Sequence, residues 1–265
     1  MTDTAAASPL FAIALTVAYD GADFAGFARQ PAQRTVQGEL EQALSIALRR
    51  PVETVGAGRT DAGVHAVGQV VSFPWDGGEV DTRAVLRSLN ALVGDGIVVR
   101  EIRVAREGFS ARFDAVRREY RYRIVTGPVP PLFLKSVAWG MLRPLDLDAM
   151  REGAAHLLGE HDFRSFCVTE SAQGKRTSRR VDHVEIFEEE HLGERCIVVQ
   201  VVSNAFLHSM VRVIVGTLVE VGAGRREPDW VAKAMAACDR SAAGPTAPAH
   251  GLTLWRVDYP DDVWR

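Results

Sequence analysis

The chain has 265 residues, 47% of them hydrophobic and 25% charged, with a formal net charge of −3 at pH 7. This composition suits a globular protein with room for a sizeable core, and no apolar run is long enough to span a bilayer. The cysteines, Cys167, Cys196 and Cys238, are widely spaced without a CxxC pair, which argues against a disulfide framework and a zinc site and points to the cytoplasm.

MTDTAAASPL lacks the basic and apolar regions of a signal peptide, and residues 1–9 are expected to form a disordered tail. Phe11–Tyr19 is an apolar, β-branched run that reads as a buried strand, followed by a loop over Asp20–Gly26. In TVQGELEQALSIALRR the residues Val36, Leu40, Ala43, Leu44, Ala47 and Leu48 fall at helical spacing, with Thr35 as N-cap and Pro51 as stop. Val52–Val55 reads as a short strand and Val64–Phe73 as the next. Asp81 caps a helix running to about Val93 with Val85, Leu89 and Leu92 as its apolar stripe, and Ile97–Val104 is a further strand.

The second half continues with a strand over Val116–Val125 and a helix over Leu147–Gly159 capped by Asp146. Strands follow at Val181–Glu189 and Cys196–Ser203. Helices are expected over Ala205–Val221 and Pro228–Cys238, and Gly251–Tyr259 closes the chain as a strand. The first half thus reads β-α-β-β-α-β, the split βαβ or ferredoxin-like order, and the second repeats that order without a residue-level repeat. The expected fold class is α+β, with two similar ferredoxin-like halves, mixed or antiparallel sheets backed by helices, and a cleft between the halves. The expected domains are residues 10–113 and 114–265.

A net negative chain that binds nucleic acid must concentrate its positive charge locally. Arginines recur at 100, 103, 106, 112, 117, 118, 121 and 123, and a second cluster is Lys175, Arg176, Arg179 and Arg180. Arginine suits bidentate phosphate contacts and base stacking. On the strand RREYRYRIV, Arg118, Tyr120, Tyr122 and Ile124 share one face and Arg117, Glu119, Arg121 and Arg123 the other. Interleaved basic and aromatic residues suit RNA, but the same pattern serves a strand with its tyrosines in a core.

VGAGRTDAGVHAVGQVVSF (Val55–Phe73) is the most unusual segment. A dinucleotide loop would need a third glycine where Asp61 stands and a helix where a strand follows. A P-loop would need Lys-Ser/Thr at Val64-His65. An ordinary strand–turn–strand loop, with Thr60 and Asp61 bonding the local backbone, remains open. The glycines around Arg59-Thr60-Asp61 would also let a ligand approach the backbone and meet one carboxylate. Arg212, in the apolar segment Asn204–Gly222, is a cation that could hold that carboxylate ionised, or a snorkelling side chain. His208 falls one helical turn before it.

GRTDAGVHAVGQVVSF resembles the catalytic motif of the tRNA pseudouridine synthase A family. YDG, TVQGELEQAL (Thr35–Leu44), ARFDAVRREYRYRI (Ala111–Ile124), HDFRSFC (His161–Cys167), NAFLHSMVRVIVGTL (Asn204–Leu218) and GLTLWRVDY resemble further family segments, in family order. The resemblance implies an isomerase that converts uridine to pseudouridine in the tRNA anticodon stem-loop, at about positions 38 to 40, on a flipped nucleotide. It implies a tRNA partner, a homodimer, no cofactor, no nucleotide cofactor, no metal and no membrane. Asp61 would be the essential aspartate and Tyr120 the ring that stacks on the base. Arg212 would pair with the aspartate, Arg59 would help hold the RNA, and His208 would line the site. The pattern departs from the family at Phe27-Ala28, where Trp-Gln is usual, at Ser110, where His is common, and near Val93-Gly94, where Pro is usual. A competing expectation is a non-catalytic RNA-binding or RNA-folding module using the same basic strand. Fold order alone gives that reading little weight.

Overall fold

β1 (Phe11–Tyr19) is buried along almost its whole length, as a strand of alternating Ile, Leu, Val and Ala with no charge should be. The computed structural model describes residues 11–265; the expected tail over residues 1–9 lies outside them. The chain divides into two units. One comprises residues up to Val116 together with Arg256–Arg265, and the other Arg117–Trp255.

In the first unit β1 is followed by α1 (Val36–Leu48), β2 (Val55–Gly56), β3 (His65–Trp75), α2 (Thr82–Leu92) and β4 (Ile97–Ala105). The sheet order is β4–β1–β3–β2, all antiparallel. This is the order that the split βαβ reading requires. Thr35 and Asp81 cap α1 and α2 by accepting from Gly38 N and Ala84 N, which satisfies backbone donors that a helix start leaves open. α1 stops at Arg49, which adopts a left-handed conformation with φ 55°, two residues before the expected Pro51. The α2 stripe is thinner than expected: Leu89 is buried, but Leu92 is exposed.

Both faces of the first sheet are covered. Ala12 and Ala14 pack with Ala57, Val70, Phe109 and Val263, and Tyr259 and Trp264 close this cluster. The last ten residues therefore belong with the first unit, although they were expected with the second. Arg106 N donates to Val263 O, Arg265 N to Val104 O, and the Tyr259 hydroxyl to Ala111 O.

In the second unit the elements are β5 (Arg117–Thr126), β6 (Trp139–Met141), α3 (Leu147–Ala155), β7 (Gly159–Asp162), α4 (Thr169–Ala172), β8 (Ser178–His191), β9 (Glu194–Ser203), α5 (Met210–Gly222), α6 (Trp230–Ala237) and β10 (Leu252–Asp258). The strand order is β10–β5–β9–β8–β7, with β10 belonging to this unit as far as Trp255. The β5–β9, β9–β8 and β8–β7 pairings are antiparallel. Taking β5, β8, β9 and β10 as the four strands of a split βαβ reproduces the order seen in the first unit. β6, β7 and α4 are short additions that apolar periodicity does not signal.

α5 is buried on nearly every side. A Cβ added at Gly216 would lie 1.8 Å from Pro245 O, so the backbone of the Gly244–Gly251 loop packs directly on the helix. α5 begins at Met210, five residues after the expected Ala205. Ser209 is left-handed with φ 58°, and the preceding loop is committed elsewhere: Asn204 O accepts from Arg118 Nη1 and Asn204 Oδ1 from Arg180 N.

Candidate active site

Asp61 sits in the loop between β2 and β3, half-buried, with Arg59 exposed and Thr60 buried. The loop is held by atoms distant in sequence. Thr60 Oγ1 and the Tyr19 hydroxyl share a hydrogen bond of 2.8 Å, and Gln69 Nε2 donates to Gly58 O at 2.8 Å and to the Tyr19 hydroxyl at 3.5 Å. Phe27 N donates to Thr60 O, and Val64 N to Asp61 O. Thr60 therefore ties the loop to β1 instead of making the local backbone bond expected of a turn threonine. Burial pushes the Tyr19 phenol up to about 12, against the opposing effect of its hydrogen bonds with Thr60 and Gln69.

The back of this loop is lined by the Asp20–Phe27 segment. A Cβ on Gly21 would lie 2.1 Å from Val64 O, and one on Gly26 would lie 2.9 Å from Thr60 O. Gly21 N donates to His65 Nδ1 at 3.1 Å. Of the four glycines in Val55–Phe73, only Gly63 has a positive φ, 76°. Gly56 serves packing instead: its added Cβ would meet the Phe27 ring at 2.4 Å. Phe27, one of the departures from the family pattern, is buried there against Gly56 and lies 6.2 Å from the Tyr19 ring.

Tyr120, Arg212 and His208 lie in the second unit. Tyr120 is on β5, 7% exposed, with its ring edge-on to Phe206 at 5.0 Å. Its face of β5 is the core face, for Tyr122 and Ile124 are fully buried. The Tyr122 hydroxyl donates to Pro248 O at 2.9 Å, and burial raises its pKa while nearby Arg212 opposes that rise. Arg212 is half-buried on the first turn of α5 and donates Nε to Ala247 O at 2.8 Å. Its stem does not simply snorkel to water; part of the guanidinium is used inside the unit. His208 precedes α5 and is exposed, so the expected helical turn linking it to Arg212 is not formed.

The basic strand is also less bare than its sequence suggests. Arg121 and Arg123 pair with Glu119 and Glu189, and both guanidinium groups lie over the Trp255 ring, at 4.1 and 5.3 Å. Arg117 and Arg180 flank Asp182, and Arg176 pairs with Glu160. Arg179 donates to the carbonyls of Arg176 and Ser178, and burial lowers its pKa. These arginines form a structured surface that carries both charges.

Three buried polar residues escaped the sequence reading, two that hold the loop and one that holds the segment before β2. Gln69 interrupts the apolar run after His65, and a polar residue in a buried strand is itself a signal. Tyr19 ends an apolar strand with a hydroxyl. Glu41 lies beside Leu40 and Leu44 on α1, is buried, and accepts from Thr54 N at 2.8 Å, just before β2.

A sequence model described as tRNA pseudouridine synthase matches residues 15–114 and 154–260. The chain belongs to this family. Among its relatives, tRNA pseudouridine synthase A of Brevibacillus brevis is 45% identical over 92% of this chain and 97% of its own length. The Frankia casuarinae protein of that name is 44% identical over 96% of this chain and 91% of its own, and that of Bacillus subtilis 42% identical over 92% and 97%.

Proposed function

We propose that this protein isomerises uridine to pseudouridine in the anticodon stem-loop of tRNA, at about positions 38 to 40, on a nucleotide flipped out of its stack. The observation that carries the proposal is the family match on both sides of the chain's length, with an aspartate held in a loop pinned by buried hydrogen bonds. Pseudouridine formation breaks the N1–C1′ bond, turns the uracil and joins C5 to C1′, with the C5 proton released and N1 taking up a proton. The net change is an isomerisation, so electrons balance without an oxidant.

Asp61 is the carboxylate assigned to this chemistry. It acts either as a nucleophile at C1′ or the base, or as a general base at C2′. Both routes need it ionised, and the cation assigned to favour that state is Arg212. Tyr120 is assigned to stack on the base, where an aromatic platform returns about 1–3 kcal/mol of the flipping cost. Exposed Arg59 is suited to a phosphate contact, and exposed His208 to the RNA near α5. The active form is a homodimer. Val129, Leu132, Phe133 and Leu142 are exposed apolar side chains that an interface between two copies would cover.

Mapping of pseudouridine in tRNA treated with the purified protein tests the substrate assignment. Modification confined to the anticodon stem-loop is expected, and modification only elsewhere in tRNA would overturn it. A molecular mass of one chain by light scattering at working concentration would overturn the dimer.

A further inference from the structure

We infer that Tyr19 and Gln69 are positioning residues that hold the Asp61 loop in its reactive conformation; this rests on the assignment of Asp61 as the catalytic carboxylate. The segment on the N-terminal side of Asp61 is held at two points, one on backbone and one on a side chain. Gln69 Nε2 holds Gly58 O at 2.8 Å, and the Tyr19 hydroxyl holds Thr60 Oγ1 at 2.8 Å. The two posts also touch each other, Gln69 Nε2 lying 3.5 Å from the Tyr19 hydroxyl. They stand on neighbouring antiparallel strands, with Val17 opposite Gln69 and, past a register shift between Val17 and Tyr19, Tyr19 opposite Ala66. The loop is thus fastened to the sheet itself.

Burial gives these bonds their importance. Tyr19, Thr60 and Gln69 are 5%, 8% and 0% exposed, so water does not replace a lost partner cheaply. Gln69 Oε1 has no hydrogen-bond partner among the described residues. An apolar residue would fill a buried strand position at lower cost. The fold carries that cost and in return places an N–H donor on Gly58 O. The rear of the loop leaves no slack either, because Gly21 and Gly26 bring backbone against Val64 and Thr60. Misplacing a catalytic group by about 1 Å costs on the order of a hundredfold in rate, so a loop carrying a lone carboxylate needs such fastening.

The test compares Tyr19→Phe, Gln69→Met, Thr60→Val and Thr60→Ser in tRNA isomerisation, with kcat, KM and tRNA dissociation constant measured separately. The expected result is a fall in kcat of roughly tenfold or more for the first three, with KM and tRNA affinity within about twofold of wild type. Thr60→Ser keeps the oxygen that Tyr19 holds and is expected to recover most of the turnover lost in Thr60→Val. Wild-type kcat in both Tyr19→Phe and Gln69→Met overturns the inference. So does a loss confined to KM, or Thr60→Ser falling as far as Thr60→Val. If Gln69→Met does not fold, Tyr19→Phe and Thr60→Val, each of which removes one oxygen, decide the matter together with Thr60→Ser. Asp61→Asn in the same assay separates the two levels. If it turns over like wild type, the assignment of Asp61 fails and the inference with it; if it is inactive while Tyr19→Phe and Gln69→Met are fully active, only the positioning role fails.

Discussion

Glu41→Ala should destabilise the protein far more than a surface carboxylate would. Glu41 is 6% exposed and Thr54 7%. Glu41 Oε1 accepts from Thr54 N at 2.8 Å, Thr54 Oγ1 at 3.1 Å and Gln37 Nε2 at 3.1 Å. Alanine strands the buried Thr54 N–H, which costs about 1–3 kcal/mol, and removes hydrogen bonds to a charged acceptor worth about 1.5–3 kcal/mol. These terms overlap, because they concern the same atoms, and Gln37 Nε2 keeps its 2.8 Å bond to Thr54 O. The net expectation is about 2–4 kcal/mol. Glu41→Gln retains an acceptor at Oε1 and should cost about 1 kcal/mol or less. It loses only the ion pair of Oε2 with Arg29 at 3.3 Å, and Arg29 is 63% exposed, a setting in which ion pairs contribute little. Urea unfolding followed by circular dichroism reads both values, provided the slope with denaturant is unchanged. Glutamine as costly as alanine would show that charge, not the acceptor, matters here. A cost below about 0.5 kcal/mol for alanine would refute the burial argument altogether.

Tyr19 and Tyr122 should ionise late in an alkaline titration read by phenolate absorbance. Burial raises both, Tyr19 to about 12, whereas an unfolded tyrosine ionises near 10. The stability gained by keeping Tyr19 neutral is whole below about pH 10 and is lost as pH rises toward about 12; early titration of all four tyrosines in the folded protein would contradict this. Gly251→Ala places a Cβ 2.5 Å from Tyr122 Cζ, inside a packed region, and should cost about 1–3 kcal/mol in urea unfolding. The control Gly140→Ala meets only Pro131 Cδ at 3.6 Å and should stay within about 0.5 kcal/mol of wild type; equal effects would sink the steric argument. A thiol reagent at pH 8 should modify exposed Cys238 quickly and reach Cys167 and Cys196 only on unfolding. Both of these are buried, and burial raises their thiols, that of Cys196 to about 11.

The strand and helix order of both units was legible because it rests on local chemistry. Thr35, Asp81 and Asp146 are caps with side-chain bonds to the first-turn backbone, and β1 and β3 are apolar runs bounded by loops. The misplaced start of α5 has a tertiary cause: Asn204 is engaged by Arg118 and Arg180, which outweighs the apolar periodicity running through Ala205–Leu207. The return of Arg256–Arg265 to the first unit depends on Tyr259 and Trp264 meeting Phe109, a contact with no signature in spacing. Asp61 was visible because a carboxylate stood where a phosphate loop needs glycine. Tyr19 and Gln69 were not singled out, because their role exists only once β1 and β3 lie side by side and bring the two side chains under the loop.

Release of tritium from tRNA labelled at uridine C5 tests the central claim most directly, because joining C5 to C1′ expels the C5 hydrogen. Wild-type protein should release tritium with no added cofactor, and folded Asp61→Asn should release none. Equal release by Asp61→Asn and wild type, or none by wild type, would contradict the account.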